Sequence, residues 1–153
     1  MADVHDKVTR SRNMSAIRAS DTRPELIIRK ALWQAGLRYR LHVKALPGRP
    51  DLVFPRYRAV VMVNGCFWHH HDCYLFKWPA SREAFWREKI TKNELNDARV
   101  LAVLREMGWR VAYVWECALK GRNKLLLPEV TETLGGWIRS DQDTLEIRGI
   151  KKA

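Results

Sequence analysis

Between Asn64 and Cys73 the chain reads Asn64-Gly-Cys-Phe-Trp-His-His-His-Asp-Cys73, with three of its five histidines in a row and two of its three cysteines flanking them. Thiolate and imidazole are the donors zinc prefers in a tetrahedron. Cys66, His71 and Cys73 are close enough in the chain to share one ion. Cys117 completes the set if the apolar run before it lies beside the run before Cys66. A Cys₃His site of that kind has no open position, so its role would be structural. Three buried thiols beside solvated histidines are the plainer alternative. In an extended segment His69 and His71 share a side and His70 faces away. His69 is then available to take a proton from water near neutral pH, although from spacing alone a hydrogen-bonded or solvent-facing ring is the simpler explanation.

A second candidate is carboxylate. Asp51 follows Pro50 just before an apolar stretch, where its oxygens could hold Mg²⁺. Glu25 could add to such a site. Both have ordinary explanations: Pro-Asp is a common turn dipeptide, and Thr22-x-x-Glu25 is a helix capping box.

The elements that must position these groups follow from patterning. Thr22, Pro24 and the stripe Ile27, Ile28, Ala31, Leu32, Ala35 predict a first helix stopped by Gly36. Arg38–Val43 alternates as a strand would. Leu46-Pro-Gly-Arg-Pro50 reads as a turn, Asp51–Phe54 as a short strand, and Ala59–Val63 as a central strand buried on both faces. Ser81 can cap a helical region running to Met107, stopped by Gly108. Trp109–Trp115 is a further buried strand, and a last helix covers about Arg122 to Ile138. This order predicts an α/β fold, a central mixed sheet flanked by helices. It divides the chain into a basic arm (1–20), a single domain (21–140) and a polar tail (141–153).

The chain has 153 residues, 28 Lys and Arg against 17 Asp and Glu, and a formal charge of +11. So basic a domain suits nucleic acid, whose phosphates attract Lys and Arg and release counterions. Of seven tryptophans, four tyrosines and four phenylalanines, seven lie between Phe67 and Trp86. A basic segment this rich in aromatics suits stacking on bases or wedging between them. No apolar run is long enough to span a membrane. Met1-Ala-Asp-Val-His-Asp6 has no apolar signal region, which predicts a cytoplasmic protein with reduced thiols. The odd cysteine count excludes a complete disulfide framework.

Five stretches together resemble the very short patch repair DNA mismatch endonucleases. They are Arg10-Ser-Arg-Asn-Met14-Ser-Ala-Ile17, Leu46-Pro-Gly-Arg-Pro-Asp51, Gly65-Cys-Phe-Trp-His69, Trp86-x-x-Lys89-Ile-x-x-Asn93-x-x-x-Asp97, and Gly108-Trp-Arg-Val with Trp115-Glu-Cys117. The resemblance runs from about residue 3 to about residue 138. It implies a restriction-endonuclease-like core that nicks one strand of double-stranded DNA 5′ of the thymine in a T·G mismatch, the lesion left by deamination of 5-methylcytosine. By the same resemblance Asp51 and the main-chain carbonyl of Val63 hold Mg²⁺, His69 activates the attacking water, and Glu25 is a supporting acid. Cys66, His71, Cys73 and Cys117 are the structural zinc ligands. Phe67, Trp68 and Trp86 wedge into the duplex from the major groove, Met14 and Ile17 reach from the minor groove, and Lys89 and Asn93 lie near the mismatched bases. Monomeric action, a DNA methyltransferase in the same cell and cooperation with mismatch-repair proteins are further implications.

One position departs from that pattern. The family usually has histidine where this chain has Asn64. Asparagine can hydrogen-bond but is no acid or base at neutral pH, so activity is expected to be reduced or altered more than abolished. Two rivals follow: a zinc-stabilised mismatch-binding protein whose nuclease is weakened or lost through Asn64, and a restriction-type nuclease acting on matched sites. The aromatic wedge speaks against the second, because an intact duplex resists unstacking.

Overall fold

The computed structural model describes residues 21–150. The basic arm with Met14 and Ile17 lies outside them. Five strands form one mixed sheet in chain order: β1 (Arg40–Leu41), β2 (Leu52–Phe54), β3 (Ala59–Asn64), β4 (Arg110–Trp115) and β5 (Thr144–Ile147). The β1–β2 and β2–β3 pairs are antiparallel, and β3–β4 and β4–β5 are parallel. Helix α1 (Arg23–Gln34) precedes the sheet, α2 (Glu83–Glu106) connects β3 to β4, and α3 (Leu127–Ile138) connects β4 to β5.

Strand alternation sorts the core into two layers. Leu52, Phe54, Ala59, Val61, Ala112 and Val114 face one side, against Ile28 and Leu32 of α1 and Val130, Leu134, Trp137 and Ile138 of α3. Val53, Val60, Met62 and Val111 face the other, against Val100 and Leu104 of α2. Because β3 is covered on both faces, it reads as an unbroken apolar run. The turn before β2 comes so close to α2 that a Cβ on Gly48 would lie 2.5 Å from Val100 Cγ1, and its φ of +74° also favours glycine.

Several boundaries differ from the sequence reading, each for a physical reason. The expected strand over 38–43 pairs only at Arg40–Leu41, because His42 turns into the left-handed region at φ 45°. The second helix starts at Glu83 after a left-handed Arg82, with no side-chain cap, so Ser81 does not cap it. The last helix starts at Leu127, with Pro128 in its first turn. The segment expected as a polar tail over 141–153 supplies β5. Thr144 and Glu146 are exposed and alternate with Leu145 and Ile147, which pack on the core, over a strand only four residues long, too short for the alternation to stand out.

Candidate active site and metal centre

Parallel pairing of β3 with β4 sets Asn64 opposite Trp115, so the residues just past each strand end meet. That contact brings Cys66 and Cys117 together. The backbone then folds back: His71 N–H donates to the Cys66 carbonyl at 2.9 Å, and Cys73 N–H to the His71 carbonyl at 2.8 Å. Cys66, His71, Cys73 and Cys117 place one donor atom each within 4.8 Å of one another. His71 Nδ1 stands 3.5 Å from Cys66 Sγ and 3.6 Å from Cys117 Sγ. In a tetrahedral zinc site the bond lengths give a sulfur–nitrogen edge of about 3.6 Å, so these donors already have the spacing that such an ion requires.

The electrostatics fit a cation as well. Burial pushes the Cys66 and Cys117 thiols up, so without a positive charge the sulfurs stay protonated; a dication reverses that preference. Burial, then the charge of Arg148, lowers His71 to about 4, which keeps the ring neutral as a ligand must be. Groups behind the ligands brace them. Gly149 N–H donates to Cys117 Sγ at 3.3 Å, and Cys66 N–H donates to Glu116 Oε1 at 3.2 Å. His71 Nε2 is buried and finds no hydrogen bond; Glu146 Oε1 of β5 stands 3.9 Å away.

Asp51 lies at the start of β2, half-buried, and accepts the Val63 N–H at 2.7 Å through Oδ2. Burial pushes its carboxyl up to about 8. The Val63 N–H opposes that rise, and the nearby Glu25 carboxylate adds to it. Glu25 is 1% exposed. Its amide, as the capping box predicts, donates to Thr22 Oγ1 at 3.4 Å. Its carboxylate goes elsewhere, accepting from Asp21 N–H at 3.1 Å, Arg29 Nη1 at 3.2 Å and His42 Nε2 at 2.9 Å. Hard oxygen donors at Asp51 suit Mg²⁺, and a positive ion would release the proton that burial retains.

The other half of the site is a cleft of about 1000 Å³ with Val63, Asn64, His69, Phe67, Trp68, Lys89, Asn93 and Asp97 on its walls. Asp51 and Glu25 are not among its lining residues; Asp51 reaches it through the Val63 peptide. On α2, Trp86, Lys89, Asn93 and Asp97 recur at helical spacing and share one face. Asp97 Oδ2 bonds His69 Nδ1 at 2.5 Å. That contact leaves Nε2 as the position free to accept a proton. Phe67, Trp68 and Trp86 form a triangle with ring centroids 5.2 to 5.8 Å apart. Trp68 is 40% exposed, and Asn93 Nδ2 holds its carbonyl at 2.9 Å. Trp115 lies between the two centres: His71 stacks on it at 3.9 Å and His69 meets it edge-on at 6.2 Å.

The three histidines therefore separate. His69 faces the cleft, His71 joins the cysteines, and His70 pairs with Glu94 beside Phe76 and Trp78. The sequence reading gave no role to Asp97, His42 or Gly149. Asp97 was discernible as the last member of the Trp86–Lys89–Asn93 stripe. His42 and Gly149 carry no periodic signal and come to notice only through folding. Among the described residues no helix is long and apolar enough to cross a membrane.

Known proteins are similar to this chain in sequence. The family described as DNA mismatch endonuclease Vsr matches residues 2–75. The DNA mismatch endonuclease Vsr of Escherichia coli strain K12 is 52% identical over 147 residues, which cover 96% of this chain and 94% of that protein. The type II nicking enzyme V.XorIIP of Xanthomonas oryzae pv. oryzae is 49% identical over 106 residues, covering 69% and 78%. The type II nicking enzyme V.NmeAIP of Neisseria meningitidis is 41% identical over 122 residues, covering 80% and 87%.

Proposed function

The chain belongs to the DNA mismatch endonuclease Vsr family, and from that premise we propose that it nicks one strand 5′ of the thymine of a T·G mismatch by Mg²⁺-dependent hydrolysis. The observation that carries the reading is a single continuous segment with two ends. Phe67, Trp68 and His69 face one cleft, and the flanking Cys66, His71 and Cys73 gather with Cys117 at its root.

Each residue then has a task. Phe67, Trp68 and Trp86 enter the stack beside the mismatch. A T·G wobble stacks less well than a Watson–Crick pair, so the same wedge costs less there, and the difference becomes selectivity. Lys89 and Asn93 lie beside the opened bases, Asn93 also holding Trp68 in place. Met14 and Ile17 would approach from the opposite groove. Asp51 and the Val63 carbonyl would hold Mg²⁺, which when bound neutralises charge developing on the phosphate and acidifies water. His69, with Nδ1 occupied by Asp97, takes the water's proton at Nε2. Glu25 supports the metal site through its packed carboxylate. Cys66, His71, Cys73 and Cys117 would hold Zn²⁺ and so fix the segment that carries both wedge and base. We take the chain to act as a monomer in the cytoplasm, alongside mismatch-repair proteins.

Asn64 lines the cleft, at the position where the family resemblance leads one to expect histidine. The test compares wild type with Asn64→His on a T·G duplex with Mg²⁺. Wild-type nicking that Asn64→His accelerates supports the reading. Mismatch binding by wild type without any metal-dependent nick would overturn it and leave a binding protein.

A further inference from the structure

His42 has a position that the active-site reading leaves unused. It stands at φ 45°, in the left-handed region that Asn, Asp and His enter more readily than other side chains. Here both ends of the residue are held. His42 N–H donates to the Asp51 carbonyl at 3.3 Å, and its ring reaches between the two buried carboxylates. Nε2 lies 2.9 Å from Glu25 Oε2 and 3.9 Å from Asp51 Oδ1.

One N–H can serve one oxygen well, and these distances say which. Glu25 takes it, alongside Asp21 N–H and Arg29. Arg29 Nη1 pairs with Asp21 Oδ1 at 2.6 Å and with Glu25 Oε2 at 3.2 Å, so a guanidinium already supplies the positive charge beside Asp21, Glu25 and His42. Asp51 has Oδ2 tied to Val63 N–H, while Oδ1 lies beyond hydrogen-bond reach of His42.

We propose that His42 is a positioning residue for the metal site. It fixes the Glu25 carboxylate beside Asp51 and anchors the Asp51 backbone, so that the Asp51 side chain is held in place for a divalent cation. This rests on the reading of Asp51 as the ligand of the catalytic ion. Remove the imidazole and Glu25 loses one of its three donors, so the carboxylate that lies beside Asp51 is no longer fixed.

The test uses the zinc-loaded protein and Mn²⁺ alone, titrated and followed by electron paramagnetic resonance, with Asp51→Asn identifying the site. Three variants divide the roles. His42→Ala removes the ring, His42→Gly removes it while relieving the left-handed backbone, and His42→Gln restores an N–H at similar reach. Partners behind a metal ligand typically matter by 10–100-fold, so His42→Ala and His42→Gly should each weaken Mn²⁺ binding by roughly tenfold or more. In nicking assays kcat should fall with KM for the duplex unchanged, and His42→Gln should recover both properties. Wild-type Mn²⁺ affinity in His42→Ala and His42→Gly, or a His42→Gln as weak as His42→Ala, would overturn the proposal. A wild type that binds Mn²⁺ through Asp51 but never nicks would sink the functional reading alone, with the Mn²⁺ comparison still deciding the role of His42.

Discussion

Asp51→Asn should destroy nicking and, in the absence of Mg²⁺, make the folded protein more stable. The folded carboxyl is pushed up to about 8 from an ordinary 3.8 by burial, with Glu25 adding to the rise. Between those values the unfolded chain has lost the proton and the folded chain keeps it. Stability therefore falls as pH rises through that window. The gap of about four units corresponds to a ceiling on the order of 5 kcal/mol above pH 8. Asparagine carries no charge to bury, and its carbonyl can still accept the Val63 N–H that Asp51 Oδ2 accepts at 2.7 Å. Urea denaturation of the zinc-loaded proteins between pH 6 and 8.5 measures the difference. The variant's advantage should grow as pH rises to about 8 and then level off. Added Mg²⁺ should stabilise wild type and leave the variant unmoved. An advantage that does not change with pH, or a variant less stable throughout, would refute the assignment of Asp51 as a buried carboxyl awaiting a cation.

Other substitutions probe the remaining parts. Gly149→Ala would set a Cβ 2.5 Å from the Cys117 carbonyl oxygen; it should displace the N–H that caps Cys117 Sγ and weaken zinc retention roughly 10–100-fold in a chelator competition, and unchanged retention would remove Gly149 from the metal centre. His69→Ala should lower kcat by about 10²–10⁴ with mismatch affinity intact, and Asp97→Asn should act in the same direction more mildly; a wild-type rate in His69→Ala would dismiss it as the base. Trp68→Ala should cost about 1–3 kcal/mol of binding to the T·G duplex, measured by fluorescence anisotropy, and less on a matched duplex; equal losses on both would deny the wedge its part in selectivity.

The parts of this protein that were legible in its sequence are those in which one physical demand dominates. Burial on both faces makes Ala59–Val63 unmistakable, and Thr22, Pro24 and Gly36 delimit the first helix through backbone chemistry. The candidate metal donors Cys66, His71 and Cys73 are local, and Cys117 needed only the pairing of two apolar strands to join them. The illegible parts are set by tertiary partners. β5 is an edge strand with polar side chains outward, so its pattern looks like a tail until Ile147 finds the core. Gly149 matters because the backbone passes a cysteine sulfur 32 residues away in sequence. His42 breaks its own strand, and its value lies in two carboxylates 17 and 9 positions distant in the chain. Glu25 shows both sides: its amide obeys the capping pattern, while its carboxylate abandons that pattern for Asp21, Arg29 and His42.

The most direct measurement is a nicking assay with Mg²⁺ on strand-labelled duplexes that differ at one base pair, T·G or C·G, within a cytosine-methylation context. A single nick 5′ of the thymine, in the T·G duplex only, is the predicted result. Equal cleavage of both duplexes, or none of either with mismatch binding retained, would contradict it.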